Sequence, residues 1–235
     1  MTGWSDRPPY QFLGKTKKAD GYDVTFIQAV AKHLNCDSEV KKLPWGRQHG
    51  EAMAGRFDLL MGGIENPGFS DYFTSDGFRS DPIGFYWKSE KKVQFQGMSL
   101  KEMLLDGFIV AYVRYDHRSD EMVELLKKPR FKRQLIRVQN ARGLFRNIMN
   151  GKVDGGYLHL ATAEFFFQKN GRQDLVINRA LSFDTPVSFL VAKKSKFGTN
   201  FVEEINEAIA ALNENGTTKK LENKYLDGYT IDTAQ

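Results

Sequence analysis

Three short stretches and two separate aromatic residues carry side chains able to bind or transform a small molecule. Glu65 and Asn66 follow a glycine pair, Gly62 and Gly63, at the end of the apolar run Phe57 to Met61. Arg114, Tyr115, Asp116 and His117 follow a second apolar run, Gly107 to Val113. Tyr157 and His159 stand two apart in GGYLHL, and Tyr10 and Trp45 offer aromatic rings near the start of the chain. Acid–base catalysis needs a poised carboxylate or imidazole, and Glu65 is the loop residue that would serve. The four histidines, at 33, 49, 117 and 159, lack zinc-type spacing. No G-x-S-x-G, P-loop or H-E-x-x-H occurs. Arg47 and His49, two apart on a helix, do not face each other. No metal and no cofactor is expected. Rings that make flat walls, with a few convergent polar groups, are the chemistry of small-solute binding.

Each of these residues has a second reading. Tyr10 either walls a ligand or covers a core. Trp45, at a helix start, either stacks on a ligand or only packs. Glu65 is a ligand contact or a solvated loop residue. Arg114 meets an anion or pairs with Asp116 or Asp120. His117 and His159 are ligand contacts or ordinary hydrogen-bonded histidines. Asp58 and Asp154, each just inside a strand, read as structural.

Two related units position these residues. In PWGRQHGEAMAGRFDLLMGGIENPG, Pro44 to Gly68, a proline suits a helix start, where its missing N–H has no partner anyway. Gly55 suits the helix end, and a buried strand follows. RNIMNGKVDGGYLHL, Arg146 to Leu160, repeats the pattern: MAGRFD and MNGKVD correspond position by position. Two like units suggest two like lobes. In open α/β sheets ligands sit beyond the carboxyl ends of strands, which is where the candidate residues fall.

The remaining elements follow the usual signals. SDRPPYQF is an extended loop, because proline disfavours a helical residue before it. GKTKKADG reads as a hairpin tip. A helix from Asp23, taken as its N-cap, places Ile27, Val30, Ala31 and Leu34 on one face. Ser99 with Glu102 forms a capping box, and Asn140 caps the helix before Gly151. Asn200 with Glu203 imitates a capping box for the helix NFVEEINEAIAALNENG, which ends at Gly216. GFYW and VSFLVA read as strands that cross between lobes, near residues 85–90 and 185–193. The expected lobes are 1–86 with 188–235, and 87–187.

At 235 residues with 41% apolar side chains and 18 phenylalanines, the chain can build a core. No apolar run is long enough for a transmembrane helix. The opening MTGWSDRPPYQF has no signal-peptide pattern, and Met1 directly precedes a strand; a mature chain with its export signal removed is the expectation. One cysteine, Cys36, forms no internal disulfide. Net charge is +5, with the densest basic run at Lys127 to Arg133. That run has one aromatic and acidic neighbours, so it reads as a solvated face rather than a nucleic-acid surface.

In order, PPYQF, GYDVTFIQAVAKHLN, PWGRQHGEAMAGRFDLLMGG, FTSDGF, NIMNGKVDGGYLHLATAEFF and the C-terminal run from SFLVAKKS to KYLDG resemble the family 3 extracellular solute-binding proteins, the amino-acid-type periplasmic binding proteins of ABC importers. The resemblance covers nearly the whole chain. It implies an α/β, two-lobed flytrap (type II) fold with two inter-lobe strands, closing on a solute in the cleft. It implies a periplasmic monomer that binds no nucleic acid, does not insert in membranes, is not an enzyme, and hands its solute to an ABC permease. Tyr10, Trp45, Glu65 and Asn66 fall at ligand-contacting positions of the family. The amino-acid signatures are absent. The T-x-E-R arginine is missing from ENPGFSDYF, the glycine–threonine pair is replaced by VRYDHRSD, and His159 stands near the place of the ammonium-binding aspartate. The implied ligand is a small polar or aromatic solute other than a standard α-amino acid, with Arg114 able to supply the anion contact. The alternatives are a ligand-sensing domain of a signalling protein and, less favoured, a cyclohexadienyl-dehydratase-like enzyme.

Overall fold

The structure, a computed structural model, describes residues 1–63, 69–113, 119–170 and 174–227. The chain divides into two compact units, 1–80 with 186–235 and 81–185. It leaves the first unit at Ser80 and returns at Pro186, somewhat earlier than the boundaries expected from sequence.

The first unit begins with β1 (Thr2–Trp4) and the hairpin β2 (Phe12–Leu13) and β3 (Ala19–Asp20). Helix α1 (Tyr22–His33) follows, then β4 (Val40–Lys42), parallel to β1. Helix α2 (Trp45–Met53) leads to β5 (Leu59–Gly63), and β6 (Tyr72–Ser80) closes this part. The second unit carries β7 (Ile83–Lys88), α3 (Lys92–Phe95), α4 (Leu100–Leu105), β8 (Val110–Val113), α5 (Asp120–Leu126), β9 (Leu135–Val138), α6 (Ala141–Met149), β10 (Gly155–His159), α7 (Leu160–Asn170) and β11 (Leu175–Phe183). Back in the first unit are β12 (Pro186–Ala192), α8 (Asn200–Glu214) and α9 (Thr217–Tyr225).

β12 lies between β5 and β6, antiparallel to both, with Leu190 opposite Leu60 and Thr74. The second unit's sheet runs β11-β7-β10-β8-β9; β10, β8 and β9 are parallel, and β7 is antiparallel to its neighbours. The strand GFYW is therefore an interior strand of the second unit rather than the crossing. The two passages of chain are held side by side on each flank of the crossing. Ser80 pairs with Pro186, and the Asp81 N–H donates to the Thr185 carbonyl at 2.9 Å.

Each unit has its own aromatic core. In the first, Phe78 and Phe189 stack at 4.3 Å, with Phe26 tilted against Phe78 at 5.0 Å. In the second, Phe85, Trp87, Phe95, Phe108 and Tyr157 pack with Val110 and Leu104. Helix α1 buries Val24, Phe26, Ile27 and Val30, while Ala31 and Leu34 are half-buried. The face is rotated from the sequence expectation because the tyrosine–phenylalanine side of the helix meets the ring stack on β6 and β12.

The paired-unit reading has a backbone counterpart. Helix α2 ends with the Gly55 N–H on the Ala52 carbonyl and the Arg56 N–H on the Glu51 carbonyl. Helix α6 ends the same way, Gly151 on Ile148 and Lys152 on Asn147. Both are Schellman caps, with φ of +70° at Gly55 and +68° at Gly151. The following aspartates match too: the Asp58 N–H donates to the carbonyl of Met1, just before β1, and the Asp154 N–H to that of Ile109, just before β8. Asp154 also accepts from the Ile109 N–H at 2.8 Å and meets Lys91 at 2.8 Å.

Two caps read from sequence are present: the Ser99–Glu102 box and Asn140 accepting from the Gly143 N–H. Two are corrected. Asp23 lies inside α1, whose N-cap is Gly21, and the aspartate is fully buried. Asn200 is the first residue of α8 rather than its cap; Thr199 precedes it and no side-chain cap bond forms.

A Cβ at Gly55 or Gly151 would meet no atom closer than 3.7 Å, so replacement costs only the left-handed backbone. Gly55→Ala and Gly151→Ala should each lower stability by about 1 kcal/mol, with additive effects, since the sites lie in separate units. Chemical denaturation of the singles and the double measures this. No loss in either single variant would remove the left-handed cap from the account.

Candidate solute-binding site

The sequence singled out the carboxyl end of β5, and the structure builds a charged cluster there. Asp23 on α1 is fully buried. Arg79, near the end of β6, grips it with two donors: Nε to Oδ1 at 2.7 Å and Nη2 to Oδ2 at 3.2 Å. Gln11 Nε2 adds a third bond to Oδ2 at 2.9 Å and points also toward the Met61 carbonyl at 3.4 Å. The Arg79 guanidinium lies 3.7 Å from the Tyr10 ring centroid, a cation–π contact. Burying both charges is tolerable because the fork geometry satisfies the carboxylate fully.

Tyr10 is only 2% exposed and lies under Arg79. In this structure its ring covers the core of the first unit. Trp45 opens α2 and is half-buried, edge-on to Phe69 at 6.5 Å. The same aromatic group holds His49, whose Nδ1 is 2.8 Å from the Tyr72 hydroxyl. Burial pushes the Tyr72 phenol above its ordinary pKa. Glu65 and Asn66 lie outside the described residues, as do Arg114, Tyr115, Asp116 and His117.

In the second unit an open pocket of about 350 Å³ lies between Tyr157 in the middle of β10, the end of β11 and the start of α5. Tyr157 forms one wall, Leu181 and Phe183 of β11 another, and Ser119, Asp120 and Glu121 a polar rim. Tyr157 is held from three sides: Phe85 meets it edge-on at 5.1 Å, Phe183 tilts against it at 5.8 Å, and its hydroxyl is 3.2 Å from Ser119 Oγ. Burial raises the phenol's pKa, and the Ser119 hydrogen bond acts in the opposite direction. Ser119 also caps α5, accepting from the Met122 N–H at 3.3 Å. His159, two residues along β10, contacts buried Asp81, with Nδ1 2.8 Å from Oδ2.

Of the ten candidate residues, Tyr157 alone lines this pocket among the described residues. Tyr10 and Trp45 fall on different parts of the first unit, and His159 turns to Asp81. Sequence reasoning missed Arg7, Asp23 and Arg79 in the first unit and Ser119 and Glu121 in the second. One signal was present. Asp23 is the lone charge in the largely apolar segment GYDVTF, and charged residues are rarely fully buried unless paired.

Among the described residues no group of three or more acidic, histidine or cysteine side chains could hold a metal ion, and no helix is long and apolar enough to cross a membrane.

Residues 2–228 match the bacterial extracellular solute-binding proteins, family 3, and the chain belongs to that family. A probable histidine-binding protein of Neisseria gonorrhoeae is 25% identical over 227 residues, 93% of this chain and 79% of the relative. Among solved structures, a histidine kinase sensor domain with similarity to periplasmic binding proteins superposes with a TM-score of 0.81 at 18% identity, covering 96% of this chain and 94% of that one. The arginine-, lysine-, histidine-binding protein ArtJ from Geobacillus stearothermophilus gives 0.78 at 18% identity, covering 98% and 96%. The fold is the two-lobed α/β fold of periplasmic binding proteins.

Cutting one side of the buried pair strands the other charge. Asp23→Asn and Arg79→Met should each cost about 3–5 kcal/mol, read as a lowered denaturation midpoint. Losses below about 1 kcal/mol would mean that the cluster is not the anchor of the first unit.

Proposed function

We propose that this chain is an extracytoplasmic receptor that captures a small polar or aromatic solute by closure of its two lobes and delivers it to an ABC importer. The observation that carries the reading is the pocket beside β10. It joins an aromatic wall at a strand end to a small set of polar groups, in a chain of a solute-binding family. Lobe closure is a shift between open and closed populations that the solute biases. The proposed site takes Tyr157 as a wall, with Trp45, Glu65, Asn66, Arg114, Tyr115, Asp116, His117 and His159 as further contacts and Tyr10 supporting them. The protein acts as a periplasmic monomer and binds its solute without converting it.

The proposed solute is not a standard α-amino acid. Support comes from two sides. No arginine stands in ENPGFSDYF where amino-acid binders place one. Arg79, the arginine that follows, commits its Nε and Nη2 donors to Asp23. The probable histidine-binding relative and the arginine-, lysine-, histidine-binding structural neighbour make histidine and arginine the solutes to test against this reading.

Native mass spectrometry of the purified protein should show a discrete added mass that is lost on denaturation. A thermal-shift screen of carboxylates, polyamines and aromatic acids should contain at least one compound that raises the melting temperature. If nothing in the screen does so, the receptor reading fails. Tight binding of histidine or arginine would keep the receptor and overturn the restriction on its ligand. Ala180 lines the pocket rim and is exposed. Ala180→Trp should therefore weaken binding at least about tenfold, roughly 1.4 kcal/mol, while leaving the solute-free melting temperature unchanged. Unaltered affinity would place the solute elsewhere.

A further inference from the structure

The charge cluster at the end of β5 is out of balance. Asp23 is the one carboxylate it contains among the described residues, and Arg79 with Gln11 occupies both oxygens. A second guanidinium, that of Arg7, stands beside it. Its Nη2 is 3.9 Å from Asp23 Oδ2, inside ion-pair range and beyond hydrogen-bond range. The Arg7 side chain is only 14% exposed. Its Nε is buried without a partner, and among the described residues none of its guanidinium donors makes a hydrogen bond. Among the described residues two cations, one buried and one half-buried, thus stand beside one satisfied anion.

The position of Arg7 is built. Its N–H donates to the Gln11 carbonyl at 2.7 Å, and its own carbonyl accepts from the Tyr10 and Gln11 N–H groups, so a tight turn pins the backbone. Gly62, at the strand end, leaves room for the head group: a Cβ there would lie 2.6 Å from Arg7 Nη2 and 2.9 Å from Asp23 Oδ2. The strand end, the turn and the missing side chain together keep a guanidinium in place with its donors unspent.

We infer that Arg7 is the anion-binding side chain of the first unit and takes a carboxylate or phosphate group of the solute. The inference rests on the receptor reading above. A guanidinium offers a planar fork of donors that matches an oxyanion bidentately. An incoming oxyanion would satisfy the stranded Nε and neutralise the surplus charge. Arg79 already spends its Nε–Nη2 edge on Asp23 and cannot offer that two-pronged fork to a solute without releasing it. Arg7 thereby supplies, from the loop after β1, the contact that no arginine after β5 provides.

The test pairs binding with solute-free stability. The probes are succinate, benzoate and inorganic phosphate, with succinamide and benzamide as uncharged controls and spermidine as a cation. At least one anion should raise the melting temperature of the wild-type protein while its amide does not; the arm that responds separates carboxylate from phosphate. Arg7→Gln should weaken that anion about tenfold or more by calorimetry and leave the solute-free melting temperature unchanged or higher, since it removes a half-buried charge that has no hydrogen-bonded counter-ion among the described residues. Arg7→Lys should keep the solute-free stability and still bind more weakly, because an ammonium lacks the fork.

An internal ion pair is the competing account, and it forecasts the reverse: Arg7→Gln lowers the solute-free melting temperature by several degrees and Arg7→Lys restores it. That result would overturn the inference, as would unchanged anion affinity in Arg7→Gln. Binding of spermidine or an amide alone would overturn it and leave the receptor standing. Binding of none of these probes, nor of any other compound in the wider screen, would remove both.

Discussion

The first unit is tied together at one buried carboxylate. Asp23 sits on the first turn of α1, and the groups that meet it come from the loop after β1 and the end of β6. Arg79 is separated from it by most of the first unit's N-terminal segment, so the pair forms only when helix, strand and loop are docked together. A carboxylate removed from water costs several kcal/mol unless its partners are complete. Here they are complete, and every register that leaves them incomplete is penalised. Exposed pairs such as Lys127–Glu124 carry no such demand, because water substitutes for either partner. The position of Tyr10 follows from the same constraint. With a guanidinium fixed above its ring, the tyrosine becomes part of the support under the strand end.

The second unit reuses the scaffold with other contents. Both units end a helix on a left-handed glycine, turn through two residues and send an aspartate N–H to the carbonyl before a neighbouring strand. That backbone routine needs a glycine and little else in side chain, which is why it survives as a short motif. The polar groups at the strand ends are free of that requirement and differ entirely. A buried carboxylate–guanidinium pair marks one unit, and a tyrosine hydroxyl over a serine marks the other.

Legibility in the sequence followed the range of the forces involved. The Ser99 box, the Asn140 cap, the glycine stops at Gly55 and Gly151 and the hairpin across GKTKKADG depend on neighbours a few residues away, and they are where the sequence places them. Asp23 defeated the local rule. An aspartate at a helix start has the right chemistry for a cap, and only the distant Arg79 reveals that it turns inward. GFYW has the composition of a crossing strand and of an interior one alike, and pairing with β10 and β11 decides between them. For the site, strand-end logic led to Tyr157 and to the neighbourhood of Gly62. It passed over Arg7, since a basic residue in SDRPPYQF looks like any solvated loop charge until its burial is known.

The α5 start sharpens the division of chemistry. A helix N-terminus ordinarily favours negative charge. Here Ser119 already accepts from the Met122 N–H, and Asp120 and Glu121 place two carboxylates in the first turn. Glu121 accepts the Lys101 N–H at 3.0 Å, so its charge is anchored there. The field of the helix end is answered from within the chain, and a solute anion entering the pocket would meet two negative charges before it met the helix. Tyr157, Leu181 and Phe183 beside that rim suit an apolar or aromatic body with a neutral or positive polar edge. An anionic group is best served by a guanidinium with donors to spare, and on the first unit the described residues place one beside Asp23.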